Sequence, residues 1–272
     1  FGKWWFAEMK IGIIGLGIVG SACKFGFEKN GHTVLVHDIK ITNSSIDNVL
    51  ETEVVIICVP TPKLETGQCD NSIVEDIIDK LNEKEYNGII TIKSTVSPGT
   101  TDCFIQKYNK LKICFVPEFL RERCAVTDFT ENHDVCIIGT DDDEIFKKIS
   151  KIHGKFPKKI MKLSTKEAEF CKYFNNSYNA MLVVFANSFY EICKKFNVDY
   201  ANVKNAVVNR KHISDNYLEC NNNFKGFGGM CLPKDLHAIN YLCKDTGVEF
   251  FKNIIEENKK YLTTVYDGMR NE

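Results

Sequence analysis

Three glycines in fixed register, Gly15-Leu16-Gly17-Ile18-Val19-Gly20, stand between an apolar run, Lys10 to Ile14, and a stretch of helical pattern, Ile18 to Lys29. A second β-rich run, Thr33 to His37, follows, and Asp38 closes it, 18 residues beyond Gly20. No other feature constrains the fold as much. The glycines permit a tight turn after a strand, close approach of a pyrophosphate, and close packing of helix on strand. The helix N-terminus behind them offers free N–H groups and the positive end of a dipole. An acid at Asp38 accepts hydrogen bonds from a ribose diol and repels a 2′-phosphate, which favours NAD over NADP. Gly15, Gly17, Ile18, Val19, Gly20 and Asp38 are therefore the expected cofactor-binding residues. A glycine turn that only permits packing accounts for fewer of these features together.

The alternation continues through the first half. Val54 to Val59, Ile89 to Ile92, Lys112 to Val116, Val135 to Ile138 and Ile160 to Leu163 read as strands. Ser72 to Glu85, Thr100 to Asn109 and Asp142 to Ile152 read as helices between them. Val54 to Val59 is wholly apolar, as a strand buried on both faces should be. The order predicts an α/β fold, a Rossmann-like doubly wound parallel sheet wrapped by helices, over residues 9–163.

Near Ser164 the pattern changes. Ser164, Thr165 and Glu167 form a helix start of the capping type, and no breaker follows until about Phe196. Ala168, Phe170, Cys171, Phe174, Tyr178, Met181, Leu182, Phe185 and Phe189 recur at helical spacing. A long helix here opens a second, α-helical domain of the dimerisation type, expected over residues 164–272. Asp199 to Val208, Pro233 to Thr246 and Glu249 to Asp267 read as further helices, and Asn221 to Gly229 as a loop rich in Asn and Gly. The apolar stretch Ala168 to Phe189, together with Glu249 to Asp267, is too hydrophobic for a lone outer helix, which points to a homodimer, with burial inside one chain as the alternative.

Composition narrows the function. The 272 residues, 44% hydrophobic, suit one large or two modest globular domains. A net charge of −1 carries no basic footprint for nucleic acid. No apolar run reaches the roughly 18 residues of a membrane helix. Residues 1–8 contain Trp4 and Trp5 but no charged region followed by an apolar stretch, so they do not read as a signal peptide. A natural start at Met9 is expected, with residues 1–8 an extension outside the fold, and the protein is expected in the cytoplasm. None of the twelve cysteines lies in a CxxC pair, so reduced thiols are expected and no zinc or other metal site.

One cysteine differs from the others by its setting. Gly226-Phe227-Gly228-Gly229-Met230-Cys231-Leu232-Pro233-Lys234-Asp235 places Cys231 just before Pro233, which suits the first turn of a helix. A thiol at a helix N-terminus is activated by the dipole and becomes a candidate covalent nucleophile. The other eleven cysteines read as small core residues.

With that loop in view, the sequence resembles the UDP-glucose/GDP-mannose dehydrogenase family, from Met9 to about Asn258. Further matches fall in order: Val59-Pro60-Thr61-Pro62, Lys93-Ser94-Thr95-Val96, Pro117-Glu118-Phe119-Leu120-Arg121-Glu122, and Glu167-Ala168-Glu169 with Lys172 and Asn176. The resemblance implies a four-electron oxidation of a nucleotide-sugar primary alcohol to a carboxylate, with NAD as cofactor. UDP-glucose and GDP-mannose are the candidate substrates, and UDP-glucose to UDP-glucuronate is favoured. It implies that Cys231 attacks the intermediate aldehyde, giving a thiohemiacetal and then a thioester. It makes Lys172 and Asn176, on one helix face, the oxyanion stabilisers. Glu122 and Asp235 become the bases, with Thr95 holding a water. Val59, Pro60, Thr61, Ser94, Thr95 and Glu118 join the cofactor site. Phe119, Leu120, Arg121, Lys172, Asn176, Arg210, Phe227, Gly228 and Gly229 are the implied substrate contacts.

Two departures stand out. Family members carry a longer helical stretch between the second and third strands, where this sequence has only Ile39 to Glu53. They also carry a C-terminal α/β domain that binds the nucleotide, which is not expected within these 272 residues. Two other functions stay open: a non-catalytic, NAD-binding structural or interaction protein, and a β-hydroxyacid-type dehydrogenase. The second needs no nucleophilic cysteine, and NADH production separates the first from an enzyme.

Overall fold

The computed structural model describes residues 8–261. Contacts divide the chain into two compact units, one of residues up to 62 with 69–172, the other of 63–68 with residues from 173 onward.

The first unit is built on seven strands: β1 (Lys10–Ile14), β2 (Thr33–His37), β3 (Val54–Ile57), β4 (Ile89–Ile92), β5 (Lys112–Phe115), β6 (Val135–Gly139) and β7 (Lys159–Leu163). Their order in the sheet is β2-β1-β3-β4-β5-β6-β7. Pairings from β2 across to β5 are parallel. β5 and β6 meet antiparallel through the single pair Phe115–Gly139, and β7 runs parallel to β6. The sheet is thus parallel, as expected, except where β5 meets β6. A parallel crossover takes a dozen or more residues, usually a full helix. The link from β5 to β6 holds only a 3₁₀ turn, Glu122–Cys124, and a six-residue helix.

Helices cover both faces: α1 (Ile18–Lys29), α2 (Ser72–Glu83), α3 (Thr100–Lys107), α4 (Ala125–Thr130) and α5 (Asp143–His153). Alternation along β3 sorts its side chains. Val54 and Ile56 enter the core with Phe27 of α1, Phe129 of α4 and Ile149 of α5. Val55 and Ile57 enter the opposite core with Ile78 of α2 and Phe104 of α3. All four are buried, as the wholly apolar run requires. The connection from β2 to β3 contains one 3₁₀ turn, Ile46–Val49, whose Ile46 and Val49 plug the second core. That turn and α4 are elements the sequence reading did not contain.

α6 (Thr165–Lys195) is a single helix of 31 residues, and the division between units falls inside it. Its start is a capping box: the Ser164 amide donates to Glu167 Oε2 (2.9 Å), and the Glu167 amide donates to Ser164 Oγ (3.3 Å). The second unit adds α7 (Tyr200–Val207), α8 (Leu232–Leu242) and α9 (Phe250–Asn258), the last followed by a 3₁₀ turn, Lys259–Tyr261. The expected helix Glu249 to Asp267 therefore ends earlier, and its part beyond residue 261 lies outside the described residues. Among the described residues no helix is long and apolar enough to cross a membrane.

Candidate active site

β2 lies on one side of β1 and β3 on the other, so the chain reverses direction across the sheet between them. The carboxyl ends of β1 and β3 therefore flank a switch point, where open α/β sheets hold ligands. The glycine loop sits there, and its glycines differ in what they do. Gly15 has φ +92°, and a Cβ on it would lie 2.6 Å from the Cys58 carbonyl oxygen. A Cβ on Gly20 would lie 1.9 Å from the Gly15 carbonyl oxygen. These two let loop, helix and β3 close on one another. Gly17 is exposed, and a Cβ there meets nothing within 4 Å. It is the N-cap of α1, has no side-chain cap, and is followed by a first turn without acids. An open backbone and uncapped N–H groups fit a pyrophosphate.

Asp38 is drawn into this loop. Its Oδ2 accepts from the Leu16 amide (2.6 Å) and its Oδ1 from the Lys40 amide (2.8 Å). These two bonds, Leu16 first, hold its carboxyl below the usual carboxylate range. Ile39 beside it is 92% exposed, an apolar side chain facing water that the sequence reading had not singled out.

The other expected cofactor residues gather at the ends of β3 and β4. Ser94 Oγ donates to the Val59 carbonyl (2.7 Å), and Thr61 Oγ1 donates to the Thr95 carbonyl (2.6 Å). The two loops carrying Val59, Pro60, Thr61, Ser94 and Thr95 are thus strapped together. The second loop runs into α3, whose N-cap Gly99 has φ +93°. The buried carboxylate of Glu169, on α6, accepts from the Gly99 amide (2.5 Å) and the Thr101 amide (2.8 Å). Desolvation raises the Glu169 pKa, against the pull of those donors. Glu169 caps α3 from another helix, a role that its place in the sequence motif did not reveal.

Lys172, one turn further along α6, is buried rather than solvated. Its Nζ donates to Glu118 Oε1 and to the Glu118 carbonyl, both at 2.7 Å. Glu118 Oε2 accepts from the Leu120 amide (2.7 Å). Burial pushes the Glu118 carboxyl up, but Lys172 and the Leu120 amide bring it below its ordinary value. The loop after β5 is therefore clamped to α6 by a charge pair.

Its remaining expected residues fare differently. Phe119 packs against one core and Leu120 against the other, so their side chains serve packing. Arg121 is engaged by Asp128: Nε donates to Oδ2 (2.9 Å) and the guanidinium NH2 to Oδ1 (2.7 Å). Its fork is matched by a carboxylate of its own chain. Glu122 is exposed at the start of the 3₁₀ turn.

In the second unit Asn176 Nδ2 donates to Asp235 Oδ2 (2.5 Å), and Lys234 Nζ donates to Asp235 Oδ1 (2.6 Å). Asp235 is fully buried. Cys231 is exposed and is the N-cap of α8, with Pro233 in the first turn. Its carbonyl accepts from the Asp235 amide (2.9 Å), so thiol and carboxylate stand one helical turn apart. Phe227, an expected substrate contact, has its ring in a core with Ala180, Val184, Leu236, Ile254 and Ile255. Its backbone is held by Asn258 of α9. Gly228 is half-buried, Gly229 exposed, and Arg210 exposed in the turn after α7. Among the other cysteines, Cys103 is exposed and Cys58, Cys124, Cys171 and Cys243 are half-buried, so the core reading holds for six: Cys23, Cys69, Cys114, Cys136, Cys193 and Cys220.

Sequence reasoning missed Glu169, Lys234 and Asn258 as site residues. Lys234 and Glu169 lay inside quoted motifs, and only their partners give them a role. Asn258 carried no signal.

Residues 37–157 match the NAD binding domain of the UDP-glucose/GDP-mannose dehydrogenase family, and residues 166–260 match the family's central domain. The chain belongs to the UDP-glucose/GDP-mannose dehydrogenase family. Its cofactor is NAD, as that binding domain implies. The glycine cradle precedes the matched range and fits the cofactor on its own geometry. The UDP-glucose 6-dehydrogenase TuaD of Bacillus subtilis is 31% identical over 253 residues, 89% of this chain and 53% of that protein. The UDP-glucose 6-dehydrogenase of Rickettsia felis is 30% identical over 239 residues, 84% of this chain and 52% of that protein. A solved UDP-glucose dehydrogenase from the archaeon Pyrobaculum islandicum superposes with a TM-score of 0.86 at 25% identity, covering 96% of this chain and 70% of that one. This family member thus spans about half the length of the curated relatives it matches.

Proposed function

We propose that the chain oxidises the primary alcohol of a nucleotide sugar to a carboxylate, UDP-glucose to UDP-glucuronate in the first instance, with Cys231 as covalent nucleophile. Two NAD, bound one after the other, would each accept one hydride, one for each oxidation. Gly17 and the uncapped start of α1 receive its pyrophosphate, and Asp38 exchanges its bond to the Leu16 amide for the ribose diol. Val59, Pro60, Thr61, Ser94, Thr95 and Glu118 shape the same pocket.

Glu122 and Asp235, with Thr95 orienting a water, take the alcohol proton. The Cys231 sulfur adds to the aldehyde carbon, forming a C–S bond while the carbonyl oxygen gains charge. Lys172, paired with Glu118, and Asn176 receive that oxyanion. Oxidation of the thiohemiacetal leaves a thioester. An activated water then breaks the C–S bond and releases the carboxylate and the thiol. For the substrate, the backbone of residues 119–121, the half-buried Gly228 and the exposed Gly229 are better contacts than the packed side chains of Phe119, Leu120 and Phe227. Arg210, exposed, is kept for the substrate phosphates.

The observation that supports this best is the pairing of an exposed Cys231 at the start of α8 with a buried, doubly bonded Asp235 one turn later. A core cysteine needs neither exposure nor that neighbour. The test is NADH formation from NAD with UDP-glucose or GDP-mannose in separate reactions. Two NADH per sugar with one of them supports the reading and names the sugar. NAD binding without NADH from either leaves a cofactor-binding module, and NADH from a small β-hydroxy acid instead moves the chain to that class.

A homodimer belongs to the same proposal. Phe170, Phe174, Tyr178, Phe185 and Phe189 are exposed along α6 at helical spacing. A second copy covers such a stripe symmetrically. Sedimentation should give twice the chain mass, and Phe174→Asp with Phe185→Asp should give monomers. A reducing, cytoplasmic compartment is likewise part of it, because Cys231 must remain a thiol to act.

A further inference from the structure

Asn258, the last residue of α9, faces the backbone of Phe227 with both ends of its amide. Oδ1 accepts from the Phe227 N–H and Nδ2 donates to the Phe227 carbonyl, each at 2.9 Å. Both residues are buried. Among side chains, only the primary amides of Asn and Gln carry a donor and an acceptor side by side, so the pair copies one rung of a β-ladder. A β-rung made by a side chain fixes one residue of a loop without needing a strand beside it.

The fixed residue matters because of what surrounds it. Gly226 and Gly229 have φ of +73° and +74°, so the chain on either side of Phe227 turns through backbone that favours glycine. Gly229 is exposed, and a Cβ on it would meet nothing within 4 Å. Between Phe227 and Cys231 lie only Gly228, Gly229 and Met230, and Met230 is 72% exposed. Downstream, the first turn of α8 holds Cys231 through the Asp235 amide. Upstream, the loop is anchored at Phe227, with the ring in the core and the backbone on Asn258.

We propose that Asn258 is a positioning residue for the thiol: by clamping Phe227 it sets where Cys231 begins α8. The proposal rests on reading Cys231 as the nucleophile. Removing the clamp leaves a buried N–H and C=O without partners, which the loop relieves by moving, and Cys231 moves with it. A displacement of about an ångström at a reacting group costs on the order of a hundredfold in rate.

The test compares Asn258→Ala and the isosteric Asn258→Asp with a control, Asn187→Ala. Asn187 is a buried amide of the same unit that accepts from the Cys220 thiol (3.1 Å). Two readouts are taken well below each variant's thermal midpoint: the rate of iodoacetamide alkylation at Cys231, mapped on its peptide, and kcat and KM with UDP-glucose. Both Asn258 variants should lose kcat by about ten- to a hundredfold with KM changed less than about threefold. Their Cys231 alkylation at neutral pH should slow by at least about threefold, as the thiol leaves the helix N-terminus. Asn187→Ala should lower the thermal midpoint and leave both readouts alone. If the Asn258 variants lose only thermal stability, with alkylation and kcat as in the unaltered chain, the proposal is overturned. Asn258→Asp decides alone if Asn258→Ala does not fold. If no variant, nor the unaltered chain, makes NADH, the dehydrogenase reading has failed, and the alkylation rates still judge the clamp.

Discussion

At the scale of single residues, chemistry and packing separate cleanly in the glycine loop. Gly17→Ala adds a methyl to open space, so the fold should keep its stability within about 0.5 kcal/mol. NAD affinity should fall several-fold in a titration of the variant. Gly20→Ala drives a methyl into the Gly15 carbonyl and should cost about 1–3 kcal/mol or more by denaturant unfolding. Equal losses of stability in the two would remove the distinction. Lys172→Met strands the Glu118 carboxylate in a buried site. That should cost about 3–5 kcal/mol, largely restored by adding Glu118→Gln. The places of the three glycines and Asp38 in the strand–helix loop, and of Cys231 at a helix start, were legible from local spacing. Arg121 and Phe227 were not, because Asp128 and the α6–α8–α9 core claim them through contacts that no local pattern displays.

At the scale of elements, the long helix was readable from its capping box and its unbroken apolar period, and Ser164 and Glu167 bond as that pattern requires. β3 was readable because an uninterrupted apolar run must be buried on both sides. α4 and the antiparallel meeting of β5 with β6 were not, since a six-residue helix has too few turns to show a period. The contacts that join elements were also hidden: Asn176 and Asp235 are 59 residues apart in sequence, and Glu169 reaches 68 residues back to Thr101. The Glu169 cap is open to a direct check. Glu169→Ala removes the acceptor of the half-buried Gly99 amide and the buried Thr101 amide at the start of α3 and should cost about 1–3 kcal/mol. A loss below about 0.5 kcal/mol would mean that water replaces the carboxylate.

At the scale of the whole molecule, the sheet's α1 face holds a histidine cluster that ties stability to pH. His153 is fully buried against Phe27 and Phe129, and His133 lies 6.0 Å from it, ring to ring. Burial first, then the Lys93 charge, lowers His133 to about 4 and His153 to about 3, and burial also lowers His32. The unfolded chain protonates these rings near their ordinary value of about 6.5, while the folded chain does not. Stability is therefore full above pH ~6.5 and falls as pH drops toward 4, by up to about 1.4 kcal/mol per pH unit for each ring. Urea midpoints across that range should show the slope, and His153→Phe should flatten it. A flat profile in the unaltered chain would contradict the cluster's neutrality.

The family membership speaks for the NAD-binding and central domains that this chain carries, and the covalent role of Cys231 is the claim on which its chemistry turns. The most direct test is to mix the chain with NAD and UDP-glucose, quench in acid during turnover, and weigh the peptide that holds Cys231. The account predicts an added nucleotide-sugar acyl group on that peptide, labile to hydroxylamine, and no turnover in Cys231→Ser. NADH forming with an unmodified Cys231 peptide, and at an unchanged rate in Cys231→Ser, would contradict it.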